Sequence, residues 1–166
     1  MNIFQLVYLM IPAYISNMIP VFTRGLPWNA PIDFGLKFGS KRLLGENKTW
    51  AGFVSGLFAA LISGVLISQI YWPFAFSALR WSFLAGFGAL FGDIVKSFFK
   101  RRVGIKPGKP WIPFDQIDYS VGALAFGSFV FFPGWLSAFW LVIISLAGHI
   151  IVNHCAYYFG IRDTKW

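Results

Sequence analysis

Charge is scarce in this chain: only 12% of its 166 residues are Asp, Glu, Lys or Arg, about half the share found in soluble domains. The sequence holds one cysteine and two histidines. A single thiol excludes an internal disulfide framework and any Cys-rich metal site; Cys155 lies in an apolar run and reads as an inert buried thiol. His149 and His154 are five apart, about 140° from one another around a helix, so they form no metal pair and read as packed or hydrogen-bonded. No Ser-His-Asp set is visible. The composition also excludes a disordered chain, a fibrous repeat and a soluble enzyme.

What replaces charge is apolar and aromatic bulk. Hydrophobic residues make up 57% and aromatics 20%, including 20 Phe and eight Trp, and the mean hydropathy is +0.65. A water-facing globule of this length cannot hide so much apolar surface, which places the chain in a bilayer.

The sequence predicts an all-α, polytopic membrane protein forming a single membrane domain. Residues 1–23 carry no charge, enough for one span of about 20 residues. No basic stretch precedes them, which argues against a cleaved signal peptide. Further spans are expected at 50–70 and 81–99. The uncharged run from 119 to 161 is too long for one helix and is broken by the turn signal Pro133-Gly134. It reads as a hairpin of spans at 113–132 and 135–159, with Pro113 opening the fourth helix. Five spans result, the first at about 3–22, with loops at 24–48 and 100–112.

Basic residues orient the chain. Arg24, Lys37, Lys41, Arg42 and Lys48 fall in the first loop. Lys96, Lys100, Arg101, Arg102, Lys106 and Lys109 close the third helix and its following loop, and Arg162 and Lys165 lie in the tail. Arg80 alone is on the other side. The N-terminus is therefore expected outside and the C-terminus in the cytoplasm, with both loops cytoplasmic. The net charge of +8 marks a membrane face, and no nucleic-acid partner is expected.

Small residues recur at every fourth position of the second helix (Gly52, Gly56, Ala60, Gly64), and Gly88 and Gly92 repeat the spacing in the third. They permit close helix approach, either within the monomer or at the seam of a homodimer. Tyr71, Trp72, Trp81 and Trp135 are expected in an aromatic belt at the outer boundary.

Ionisable groups at membrane depth are functional candidates. Asp93, Lys96 and Lys100, spaced i, i+3 and i+7, share a helical face, as do Asp115 and Asp118. If those faces meet, three carboxylates converge just inside the cytoplasmic surface, ringed by Lys and Arg. Hard oxygen ligands of this kind suit Mg²⁺, which commonly shares its coordination with substrate phosphates. A monovalent cation beside it is compatible with the same site. Alternatively Asp93 and Lys96 pair with each other, and Asp115 and Asp118 are acids favoured by a helix N-terminus. The stretch Gly45-Glu46-Asn47-Lys48-Thr49 opens the second helix, where free N–H groups form an anion site, although the spacing is not that of a P-loop.

The stretch from Gly92-Asp93 through Lys96-Ser97 to Lys100-Arg101-Arg102, followed by Pro113-Phe114-Asp115-Gln116-Ile117-Asp118, resembles the signature of the integral-membrane CDP-lipid synthases. Pro31-Ile32-Asp33-Phe34-Gly35 and Gly45 to Gly52 resemble its archaeal branch, the CDP-archaeol synthases. Lys106-Pro107 and Gln116 depart from the bacterial pattern, and the bacterial His-Gly-Gly is missing. The resemblance implies CTP and an unsaturated archaeal ether-lipid phosphate as substrates, Mg²⁺ as cofactor, and a CDP-lipid and pyrophosphate as products. It implies Asp93, Asp115 and Asp118 as metal ligands and Lys48, Lys96, Lys100 and Arg101 as phosphate-holding cations. Ser97 would orient the substrate, and Asp33 and Thr49 would contact the nucleotide. A small transporter for ions or phosphorylated compounds is the alternative, but no intramembrane charge continues a path through the outer half of the spans.

Overall fold

The computed structural model describes residues 1–23, 29–107 and 109–160. Arg24, Arg162 and Lys165, three of the orienting charges, lie outside the described residues. Among the described residues the regular structure is helical apart from a hairpin of two two-residue strands and an isolated bridge between Pro31 and Thr49. Helix α1 (Ile3–Met18) leads through a 3-10 turn (Ile19–Val21) into a loop holding strands β1 (Lys37–Phe38) and β2 (Lys41–Arg42). Then come α2 (Trp50–Ile70), α3 (Ala78–Arg102), α4 (Phe114–Gly127) and α5 (Trp135–Tyr158).

Local chemistry sets the ends. Asn2 and Gln5 exchange hydrogen bonds in a capping box at the start of α1, the reciprocal arrangement that satisfies two free N–H groups. The Thr49 hydroxyl accepts from Gly52 N at 3.2 Å to open α2. Ser77 caps α3, so that helix begins three residues before the expected Trp81. Its last turn gathers Lys100, Arg101 and Arg102, cations favoured at a helix C-terminus. Gly134, at φ +85°, supplies the left-handed turn before α5 that residues with a Cβ rarely adopt.

Among the described residues four segments, α1 with its 3-10 turn, α2, α3 and α5, are long and apolar enough to cross a membrane. The fourth helix is shorter than the expected 113–132. With 14 residues it spans about 21 Å, less than the ~30 Å hydrocarbon core. Beyond Gly127 the hydrogen bonding tightens into short-range turns that end with Phe131 N on Gly127 O. Phe131 then stacks on Phe76 at 4.7 Å, just before α3. The α4 segment and its turns thus run from the C-terminal end of α3 back past its N-terminal end.

The core joins Leu6, Leu9, Met10 and Ala13 of α1 to Trp81, Ala85 and Ala89 of α3, with Tyr119 and Ala123 of α4 and Leu141 of α5. Trp81 is fully buried, and its indole N–H donates to Leu9 O at 2.7 Å. It is a core residue and not part of a boundary belt: Gly127 leaves the space its ring fills. Large apolar side chains cover the outside of the bundle, among them Phe58, Ile62 and Leu66 of α2 and Leu136, Phe139 and Trp140 of α5. That surface suits lipid. Cys155 is exposed on α5, contrary to the buried thiol expected, because α5 buries only Leu141, Ser145 and Asn153.

The small-residue stripe is consumed inside the monomer. A Cβ on Gly56 would press on Ser16 O, and one on Gly64 would collide with the Ser82 side chain. Gly88 and Gly122 set the α3 and α4 backbones against each other, and Gly92 lies against the carbonyl of Asp118. This last contact brings the start of α4 beside Asp93.

Candidate active site

Because Gly92 carries no side chain, α3 and α4 meet with their charged faces turned inward. Lys96 Nζ lies 2.9 Å from Asp93 Oδ1, from Asp115 Oδ1 and from Asp118 Oδ2. Lys100 Nζ reaches both oxygens of Asp115, at 2.9 and 2.7 Å. Lys48, from the residue before the α2 cap, pairs with Asp93 Oδ2. Three carboxylates are therefore matched by three ammonium groups, a balance that lowers the cost of holding charge at membrane depth.

Backbone groups hold the acids in place. Tyr119 N donates to Asp118 Oδ1 at 2.8 Å and Trp111 N donates to Asp115 Oδ2. The Ser97 hydroxyl donates to Asp93 O at 2.7 Å, so it sits against the cluster but is engaged by its own helix. The buried Asp118 Oδ2 meets Lys96 Nζ at 2.9 Å.

The remaining expected residues lie apart from this centre. Thr49 spends its hydroxyl on the α2 cap. Asp33 organises the loop: its Oδ1 accepts from Arg42 at 2.8 Å and from Gly35 N at 3.0 Å, and its Oδ2 from Leu44 N and Gly45 N. Burial alone would raise the pKa of the Asp33 carboxyl, but the Arg42 guanidinium and three backbone N–H groups outweigh it and hold the carboxyl below its ordinary range. Arg101 lines a neighbouring cleft of about 340 Å³ with Lys41, Arg42, Glu46 and Lys106. His149 and His154 engage Asn153 and Ile150 O of their own helix, as expected of packed histidines.

Two residues escaped the sequence reading. Arg42 locks Asp33, and Arg102 donates to Phe38 O at 3.1 Å and Arg42 O at 2.7 Å, tying the hairpin to the end of α3. Their basic character was visible, but it marked membrane orientation and not a partner.

An all-oxygen, anionic donor set of three carboxylates meeting at one point has the chemistry that Mg²⁺ requires. Among the described residues no cluster of His, Cys, Asp and Glu is spaced for a metal as it stands; Lys96 Nζ lies where the three carboxylates meet.

Among the described residues no formal charge lies within α1, α2 or α5, and α3 carries only Arg80 at the end away from the cluster. Fold and site together define a multi-pass intramembrane protein whose described helices gather their charges into a cluster at one end and carry no charged path through them. The sequence matches the CarS-like family, described as CDP-archaeol synthase, over residues 1–166. The CDP-archaeol synthase of Thermofilum pendens is 37% identical over 171 aligned residues, covering 99% of this chain and 82% of its own length. That of Methanoculleus marisnigri is 35% identical over 170, covering 95% of this chain and all of its own. A solved structure described as an intramembrane enzyme for archaeal membrane lipids biosynthesis shares the fold with a TM-score of 0.81 at 33% identity, covering 92% of this chain and 94% of that one. This chain belongs to the CDP-archaeol synthase family.

Proposed function

We infer that the protein is a CTP-dependent cytidylyltransferase that converts an unsaturated archaeal ether-lipid phosphate to CDP-archaeol and pyrophosphate. Family membership over the whole chain supports the reaction, and it disfavours a transporter. The observation that carries the site assignment is the convergence of Asp93, Asp115 and Asp118 on Lys96 Nζ.

The chemistry asks little of a nucleophilic side chain. An oxygen of the lipid phosphate, already anionic, bonds to the α-phosphorus of CTP while the bond from that phosphorus to the bridging oxygen breaks, and pyrophosphate leaves with the electron pair. The barrier lies in bringing two polyanions together and in charge on the leaving group. Lys48, Lys96 and Lys100 are the cations that take phosphate oxygens, each by exchanging its present carboxylate for one. Arg101, in its cleft beside them, is a further phosphate contact. Asp33 and Thr49 act at one remove, by fixing the loop and helix start that present Lys48, while Ser97 steadies α3 at Asp93. Mg²⁺ held by Asp93, Asp115 and Asp118 would supply charge neutralisation at the transferring phosphoryl group.

The bundle crosses the membrane five times, with α4 and its turns as the fourth crossing. The stacking of Phe131 on Phe76 at the opposite end of α3 supports this. The site faces the cytoplasm. The described loop cations lie at the same end as the carboxylates, as the Lys48–Asp93 and Lys41–Arg102 contacts illustrate, and basic residues mark the cytoplasmic side.

Pyrophosphate release by the detergent-purified protein tests the reading. The assay contains CTP, Mg²⁺ and either the ether-lipid phosphate or diacyl phosphatidic acid, with and without EDTA and with K⁺ or Na⁺ varied. EDTA-sensitive release with the ether lipid is expected, and a folded protein silent with both lipids would refute it.

A further inference from the structure

The loop that carries Asp33 and Lys48 has an apolar tip. Phe34, Leu36 and Phe38 are 70%, 61% and 70% exposed within five positions, and a contiguous exposed apolar patch marks a surface that something covers. Phe34 is held at φ +44°, a left-handed backbone that a large residue rarely adopts.

The patch cannot move far from the bundle. Ile32 N donates to Lys48 O at 2.8 Å and Trp50 N to Ala30 O at 2.9 Å, pinning the loop to the first residue of α2. The Phe34 ring lies 6.5 Å from that of Trp50, itself 41% exposed. At the other edge the Arg102 guanidinium sits between the rings of Phe38 and Phe98, 5.3 and 5.1 Å from their centroids. The patch thus adjoins Trp50 at the start of α2 and, through Arg102, Phe98 near the end of α3. Lys37 and Lys41, both exposed, flank it, and ammonium groups beside apolar tips suit anionic headgroups above acyl chains.

We propose that Phe34, Leu36 and Phe38 insert into the headgroup–acyl boundary of the leaflet that adjoins the site, anchoring the loop to the bilayer. The loop's membrane contact then fixes Lys48, through the Ile32–Lys48 hydrogen bond, at the depth where a lipid phosphate lies. The proposal requires only that α2 and α3 cross the membrane, and its readout does not pass through catalysis.

The test uses the full chain with Cys155→Ser, reconstituted in liposomes containing anionic lipid, with Leu36→Cys or Ser40→Cys labelled by an environment-sensitive nitrobenzoxadiazole. At position 36 the emission should shift to the blue, be quenched by doxyl-labelled lipid and resist iodide; at position 40 iodide should quench it. A Phe38→Cys label should follow position 36. Iodide quenching at positions 36 and 38 equal to that at 40 would overturn the proposal, as would shielding from both quenchers, which would mean that protein covers the patch.

Discussion

Replacing Lys96 by methionine removes the charge on which three carboxylates meet while keeping an unbranched side chain. Each of Asp93, Asp115 and Asp118 has an oxygen 2.9 Å from Lys96 Nζ, so no two of those oxygens are farther apart than twice that distance. Two carboxylates about 5 Å apart repel by roughly 3 kcal/mol at an effective dielectric of about 20. Lys48 still neutralises Asp93 and Lys100 still neutralises Asp115, which leaves Asp118, its side chain 6% exposed, without a cation. Breaking a buried ion set by removing one member costs about 3–5 kcal/mol, in line with the Coulomb figure. We therefore expect Lys96→Met to lose about 3 kcal/mol of unfolding free energy in metal-free detergent, followed by tryptophan fluorescence during denaturation. Magnesium should reverse most of that loss, since a ligand at 100 times its dissociation constant contributes about 2.7 kcal/mol. The parent, whose carboxylates already hold an ammonium, should respond far less. Equal stability of the two proteins without Mg²⁺, or an equal magnesium response, would refute the reasoning.

Asp118→Asn keeps the shape and removes the charge; turnover in the pyrophosphate assay should vanish while detergent elution and helix content stay those of the parent. Asp33, with its folded pKa lowered, contributes stability that is fully present above the ordinary carboxylate pKa of about 4 and is lost only as pH falls through the lower folded value. Amide-exchange protection at Leu44 and Gly45, measured relative to the intrinsic rate at each pH, should thus hold down to about pH 4 and fall in stronger acid, and Asp33→Asn should remove that pH dependence. Gly88→Val drives a side chain into the Gly122 backbone and should destabilise by about 1–3 kcal/mol or more. Gly148→Ala, with nothing within 4 Å of the new methyl, should be neutral or stabilising by up to about 1 kcal/mol, as read in the same unfolding assay.

Much of this architecture was legible in the sequence because lipid imposes a simple rule: charge-free runs of sufficient length become helices. The expected 50–70 span is α2, and helical periodicity alone put Asp93, Lys96 and Lys100 on one face and Asp115 and Asp118 on another, though not that the two faces meet. What was not legible depends on which side of an apolar helix faces protein and which faces lipid. Hydropathy cannot distinguish them, so Trp81 read as a boundary residue when it fills the space left by Gly127, and Cys155 read as buried when its helix turns it outward. The early end of α4 was hidden for a similar reason, since Ser128 to Phe132 are as apolar as the helix before them. Asp33 illustrates a different limit. Its motif was visible, but only the folded loop shows that its oxygens are occupied by Arg42 and backbone N–H groups.

The pairing of charges at the centre bears on how so small a membrane chain can handle two polyanions. Bare cations waiting for phosphate would be expensive at membrane depth, and so would bare carboxylates waiting for a metal. In the resting protein each group has a partner of opposite sign: Lys48 with Asp93, Lys100 with Asp115, and Lys96 shared among three acids. Under the proposed assignment, the arrival of CTP with its cation is an exchange of partners. Phosphate oxygens would take over the ammonium groups, leaving the carboxylates to hold the metal, and few charges need be left unpaired along the way. On this argument Lys96 is the pivot, because it alone must leave three carboxylates at once, and the tightness of its present contacts sets how strongly nucleotide and metal must favour the exchanged arrangement.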